Sequence, residues 1–268
     1  MARLLGLAVA AAAAIFAAMP AATAGEICTL IADGKSGEVL MERGDCRTRV
    51  TPASTFKVPL AVMGFQAGFL IAPDAPLIDF KEGYPDWIPE WRQPTDPAAW
   101  MRHSVLWYSQ HITRALGGDR LSAFAGAWGY GNADFSGDPG EDNGLERAWI
   151  ASSLQVSPVE QVRFLHALVS RTLPVSPVAM DMTVAIVEGQ KAGEWSVKGK
   201  TGSAYPRRAD RSFDRARAWG WYVGWATRGD RTVIFARLNQ DERPADEPSG
   251  VRARDGFLAE LPGLMSRL

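Results

Sequence analysis

Between Ile27 and Glu42 the chain alternates apolar and polar positions as two short strands, residues 27–33 and 38–42, about the turn Asp33-Gly34-Lys35-Ser36-Gly37. The pattern then becomes nearly continuous. Thr51-Pro-Ala-Ser-Thr-Phe-Lys-Val-Pro-Leu60 runs into AVMGFQAGFLI, and residues 54–70 predict a buried helix. From about 71 to 190 the chain reads as loop-rich and helical. Helical spacing marks AAWMRHSVLWYSQHITRALG, DRLSAFAGAWG and SPVEQVRFLHALVS, while YPDWIPEWRQPTDP supplies Pro-rich punctuation. Ser157 followed by Pro158 and Glu160 predicts a capped helix start. Strand signals return in EWSVKGKTGSA, AWGWYVGWATRG and DRTVIFARLNQ, before a closing helix in GVRARDGFLAELPGLMSRL. Strands at both ends around a helical insertion predict an α/β (α+β) chain. An antiparallel sheet would be built from residues 25–53 and 191–268 and flanked by helices, with a helical lobe over about 54–190 beside it. A cleft between two such lobes is a natural place for chemistry.

Composition adds compartment and excludes some partners. Residues 1–24 combine Arg3, an Ala-rich apolar stretch and the small-x-small ending Ala22-Thr23-Ala24, the pattern of a cleaved export signal. As a membrane anchor the stretch is short and weakly hydrophobic. The mature domain, 25–268, is therefore expected in the periplasm with no membrane association. With 47% hydrophobic residues, 22% charged and a net charge of −1, nothing calls for nucleic acid or an anionic surface. Cys28 and Cys46 flank the N-terminal hairpin and can close a disulfide in an oxidising compartment, the alternative being two separate thiols. His103, His111 and His166 have no H-x-x-x-H spacing and the two cysteines form no C-x-x-C, so no metal is expected.

The candidate chemistry begins with Ser54 and Lys57. At i and i+3 on a helix the hydroxyl and the amine share a face, and Ser54 stands at the helix start, where free N–H groups favour developing negative charge. An amine in apolar surroundings loses its proton readily and can serve as the base a nucleophile needs. An N-cap serine beside a snorkelling lysine would look the same. Lys200-Thr201-Gly202 falls on a predicted strand, where an ammonium beside a hydroxyl can hold a carboxylate and glycine permits close backbone approach. An edge strand guarded by lysine is the plainer alternative. Between the two motifs lie Ser104-Val105-Leu106, expected on a helix, and Tyr130-Gly131-Asn132 in a loop.

Taken together, STFK at 54–57, SVL at 104–106, YGN at 130–132, KTG at 200–202 and AWIASSLQVSPVEQ from 148 resemble the class D serine β-lactamases, the oxacillinases, over essentially the whole mature sequence. The resemblance implies a β-lactamase/transpeptidase-like fold and β-lactam substrates, handled by a monomer or a homodimer. It also implies that Lys57 takes up CO2 on its side-chain nitrogen and acts as general base for acylation and deacylation, with no other cofactor. By the same resemblance Trp149 steadies that group, Ser104 relays a proton to the lactam nitrogen, and Lys200 and Thr201 receive the substrate carboxylate. The N–H groups of Ser54 and Ser203 would form an oxyanion hole. A helix-start arginine completes the carboxylate grip: Arg252, with Arg254 as the alternative. Tyr130 and Asn132 shape the cleft wall. Leu106 departs from the family's usual valine, which bears on turnover more than on acylation. A β-lactam sensor or a transpeptidase-like domain would share these motifs yet acylate without fast turnover.

Overall fold

Residues 24–268 are described by the computed structural model; the leader expected over 1–24 lies, but for its last residue, outside them. Six strands form one sheet: β1 (Ala24–Asp33), β2 (Val39–Gly44), β3 (Gly189–Ala192), β4 (Trp195–Ala204), β5 (Trp219–Arg228) and β6 (Arg231–Asp241). Their order is β2-β1-β6-β5-β4-β3 and each neighbouring pair is antiparallel. The N-terminal hairpin thus completes a sheet begun by the C-terminal strands, as predicted. Strand β3 was not expected; four residues, mostly polar, carry too little pattern to register. Cys28 and Cys46 form a disulfide with Cα atoms 5.1 Å apart, pinning β1 to the chain just beyond β2.

The helices are α1 (Lys57–Gln66), α2 (Pro97–His103), α3 (Leu106–Leu116), α4 (Gly118–Trp128), α5 (Gly144–Arg147), α6 (Pro158–Val169), α7 (Pro177–Ile186) and α8 (Ser249–Met265). Helix α6 starts as its sequence demands, with Ser157 and Glu160 in a reciprocal capping box and Pro158 in the first turn. The helix expected over 54–70 is shorter. A 3-10 turn at Ala53–Phe56 precedes α1, and the amides of Phe69 and Leu70 both fold back onto the carbonyl of Gly64.

Helix α8 covers one face of the sheet, where Tyr222, Phe235 and Phe257 are fully buried and Phe235 stacks on Phe257 at 4.2 Å. The opposite face packs on α6 and on the 3-10 turn before α1. Its position in the chain predicts helix α6 in the helical lobe, yet it rests on β1, β5 and β6. Its apolar side, Val162, Phe164, Leu165 and Leu168, belongs to the core that also contains Leu30 and Leu238.

Candidate active site

The site is assembled where β4 meets the 3-10 turn. Beyond Lys198, which pairs with Gly189 of β3, strand β4 has no strand partner on that side among the described residues. Gly199 N–H points to it, donating to Glu188 O, and strand alternation turns the N–H groups of Thr201 and Ser203 the same way. Gly202 allows this edge to press on the turn: a Cβ there would sit 2.9 Å from Pro52 O and 3.2 Å from Thr55 N. From the other side Gln161 on α6 donates to Thr55 Oγ1 at 2.7 Å, and Thr55 Oγ1 donates to Pro52 O at 2.7 Å. The turn carrying Ser54 is therefore clamped between the sheet and α6.

A small cavity of about 40 Å³ gathers Ser54, Lys57, Ser104, Trp149 and Ser203. Lys57 is 1% exposed. Burial, then the charge of Lys200, holds its amine well below the usual lysine range. Among the described residues no carboxylate pairs with it. Its neighbour Trp149 is held by the backbone: Trp149 O accepts from Ala53 N at 3.0 Å and from Thr51 Oγ1 at 2.8 Å. Phe56 packs on the Trp149 ring at 5.5 Å. Of the five fully buried tryptophans, three have indole partners: Trp100 Nε1 donates to Ser109 Oγ, Trp107 Nε1 to Trp91 O and Trp221 Nε1 to Thr51 O. The indoles of Trp149 and Trp195 make no hydrogen bond among the described residues, and of these two only Trp149 lines the cavity of Lys57.

Ser104 reaches the cavity by a device that its sequence context hides. Helical spacing continues through it, yet the chain breaks there: Ser104 sits between α2 and α3 at φ 58°, ψ 34°. Left-handed backbone at a residue other than glycine costs on the order of 1 kcal/mol. Ala53 (φ 50°), on the wall of the same cavity, and Ala151 (φ 49°), the residue after the cavity-lining Ile150, also have positive φ. Leu106 lines the cavity from the first turn of α3. So do Ile150, Trp87 and Trp91, which the sequence reading missed; Trp87 and Trp91 lie 5.2 Å apart in the Pro-rich segment. Two tryptophans four residues apart in a loop were the available signal.

A second, polar cavity of about 70 Å³ is lined by Lys200, Thr201, Tyr222, Glu188 and Arg254. Burial lowers the Lys200 amine to about 8, with Glu188 opposing the fall and Arg254 adding to it. Arg252, the expected carboxylate anchor, is engaged elsewhere: it is ion-paired to Asp241 and donates to the carbonyl of Glu247. Two residues along a helix is a rotation of about 200°, so only one of Arg252 and Arg254 can face β4. Tyr130 and Asn132 line neither cavity. Tyr130 is fully buried with its hydroxyl donating to Gln161 Oε1 at 3.3 Å. Asn132 donates to Ser153 O and accepts from Gln155 N, and Gly131 at φ 61° lets the two backbones touch, since a Cβ there would meet Gln155 O at 2.1 Å. Their place is behind the Trp149 loop. Among the described residues no group of histidine, cysteine and carboxylate side chains could hold a metal ion.

A serine hydroxyl, a buried amine held toward its neutral form and a basic strand edge are together the parts that serine acyl transfer needs. Comparison with known proteins agrees. Residues 27–260 match the penicillin binding protein transpeptidase domain. The chain is 44% identical to Beta-lactamase OXA-9 of Klebsiella pneumoniae over 89% of its length and 88% of that protein. It is 33% identical to Beta-lactamase OXA-1 of Escherichia coli over 88% of its length and 84% of that protein. The crystal structure of the OXA-427 class D β-lactamase superposes with a TM-score of 0.83 at 44% identity, covering 91% of this chain and 99% of that one. This chain belongs to the class D β-lactamases, within the penicillin-binding transpeptidase family.

Proposed function

We propose that this chain hydrolyses β-lactam antibiotics, and so confers resistance to them, through an acyl-enzyme on Ser54 with carboxylated Lys57 as general base. The observation that carries the mechanism is the setting of Lys57: a buried amine, held toward its neutral form, beside a serine and without a carboxylate partner among the described residues. A neutral amine is the form to which CO2 adds. The unpartnered indole N–H of Trp149 and the space beside Lys57 suit a small anionic group there. Once carboxylated, Lys57 supplies an anionic oxygen base one helical turn from the nucleophile.

Ser54 Oγ gives up its proton as it attacks the lactam carbonyl, and the carbon–nitrogen bond of the ring opens. The outward N–H of Ser203, with that of Ser54, donates to the oxyanion. Ser104 passes a proton to the departing nitrogen. Lys200, Thr201 and Arg254 hold the substrate carboxylate, Arg254 replacing Arg252 because its guanidinium is the one beside Lys200. Water then cleaves the ester and frees Ser54. The Cys28–Cys46 disulfide favours an oxidising compartment outside the cytoplasm as the place of work.

A mass-spectrometric time course with benzylpenicillin tests the proposal. The wild-type adduct forms and disappears, Ser54→Ala forms none, and Lys57→Ala fails to clear penicillin. A wild-type adduct that persists for hours would mean a sensor or a transpeptidase-like acceptor instead.

A further inference from the structure

We infer that Arg207 is a positioning residue for the reaction: by tying the loop after β4 to the backbone of Ala151, it holds Trp149 at the Lys57 cavity. The inference rests on the carboxylated-lysine reading above.

Arg207 lies four residues beyond Ser203, on the segment joining β4 to β5. Its guanidinium donates from Nε to Ala151 O at 3.3 Å and from Nη1 to Arg211 O at 2.8 Å, and Nη2 reaches Asp138 Oδ2 at 3.3 Å. It lies over the Phe213 ring at 4.1 Å. Asp138 in turn accepts from Ser152 Oγ at 2.8 Å, so one carboxylate joins Arg207 to the same loop a second time. On the inner side, Thr51 Oγ1 donates to Trp149 O and accepts from Ala151 N at 2.9 Å. The segment Trp149–Ala151 is therefore gripped from two directions, by a buried threonine and by Arg207. Ala151 stands at φ 49°, a conformation that alanine keeps only where its surroundings impose it.

These contacts cross-link opposite walls of the cavity, since Ser203 and Arg207 share one strand and its continuation while Trp149 and Ala151 share the facing loop. Arg207 touches neither Ser54 nor Lys57. Its effect runs through Trp149, whose indole N–H is the donor available to the group on Lys57. With Arg207 29% and Asp138 14% exposed, the link is sheltered enough to hold yet lies at the surface, where one substitution releases it.

The test uses the mature protein with Arg207→Ala and Arg207→Lys. Turnover of a chromogenic cephalosporin is titrated with bicarbonate, carbamate is followed by 13C NMR with labelled bicarbonate, and melting temperature is recorded. Arg207→Ala is expected to need about tenfold more bicarbonate for half-maximal turnover, the scale on which outer contacts tune a bound group. Its carbamate signal is lost at limiting bicarbonate where the wild type keeps it, and turnover recovers as bicarbonate rises. Arg207→Lys, able to keep one of the three contacts, falls between. A lowered melting temperature with an unchanged bicarbonate midpoint would make Arg207 a structural staple and overturn the inference. Wild-type protein with neither a carbamate signal nor bicarbonate dependence would instead sink the Lys57 reading itself. Should Arg207→Ala not fold, Asp138→Asn, which weakens the same link, is expected to shift the midpoint in the same direction, and no shift counts against the inference.

Discussion

At neutral pH Lys200 carries its charge, but with its amine lowered to about 8 by burial it loses that charge early in the alkaline range. On the proposed reading, in which that charge holds the substrate carboxylate, KM for a penicillin should rise as pH passes about 8, with kcat less affected. Removing Arg254 removes one cause of the depression, so in Arg254→Ala the rise begins at higher pH. The same variant should raise KM about 10–100-fold, the value of one charge-assisted contact. Arg252→Ala, cut from Asp241 and the Glu247 carbonyl, should lower the melting temperature and leave KM near wild type. Initial rates across pH 6–10 for the three proteins decide between the two arginines. At this scale the residue types were legible: a lone ammonium in an apolar run, a hydroxyl three positions before it, a basic triplet on a strand. Which of two arginines faces the strand was not, because both fit the local spacing and only the seating of α8 on the sheet separates them.

The element scale shows where local pattern misleads. Apolar spacing runs unbroken through residues 98–117, so a single helix was the natural expectation; one residue in left-handed geometry divides it and turns the Ser104 side chain to the cavity. Helical propensity differences of a few tenths of a kcal/mol per residue are easily overridden by packing of this kind. Strand β4 depends on an absence instead. Gly202→Ala would drive a methyl group against Pro52 O and Thr55, backbone and side chain that cannot both yield. A loss of about 1–3 kcal/mol in stability is expected from the overpacking. Acylation should slow by at least the tenfold that each 1.36 kcal/mol of barrier represents, because the Ser54 turn is displaced from the Ser203 edge. Stopped-flow acylation and chemical denaturation read the two effects separately.

Across the whole molecule, the two chain ends share one sheet, and the only covalent tie among the described residues closes a short loop at the edge away from β4. Cross-linking residues 18 apart should contribute about 3 kcal/mol through the entropy of the unfolded chain. Cys28→Ser with Cys46→Ser is therefore expected to lower stability by roughly that amount while kcat/KM at 25 °C stays within about twofold, measured by urea denaturation and steady-state rates. The division into a sheet built from both termini and a helical insertion was readable from the chain, because strand and helix periods differ and each is long enough to register. The chain also carried, by itself, the residues to which the proposal gives roles: Ser54, Lys57, Ser104 and the Lys200-Thr201-Gly202 strand. Folding alone decided which of these groups meet, that Trp87 and Trp91 join the cavity wall, that Tyr130 and Asn132 stand behind the Trp149 loop, and that Arg207 reaches across to it. Periodicity reports which face of an element is apolar, whereas contacts between residues fifty to a hundred and fifty positions apart depend on how those faces are stacked, and stacking leaves no trace in local spacing.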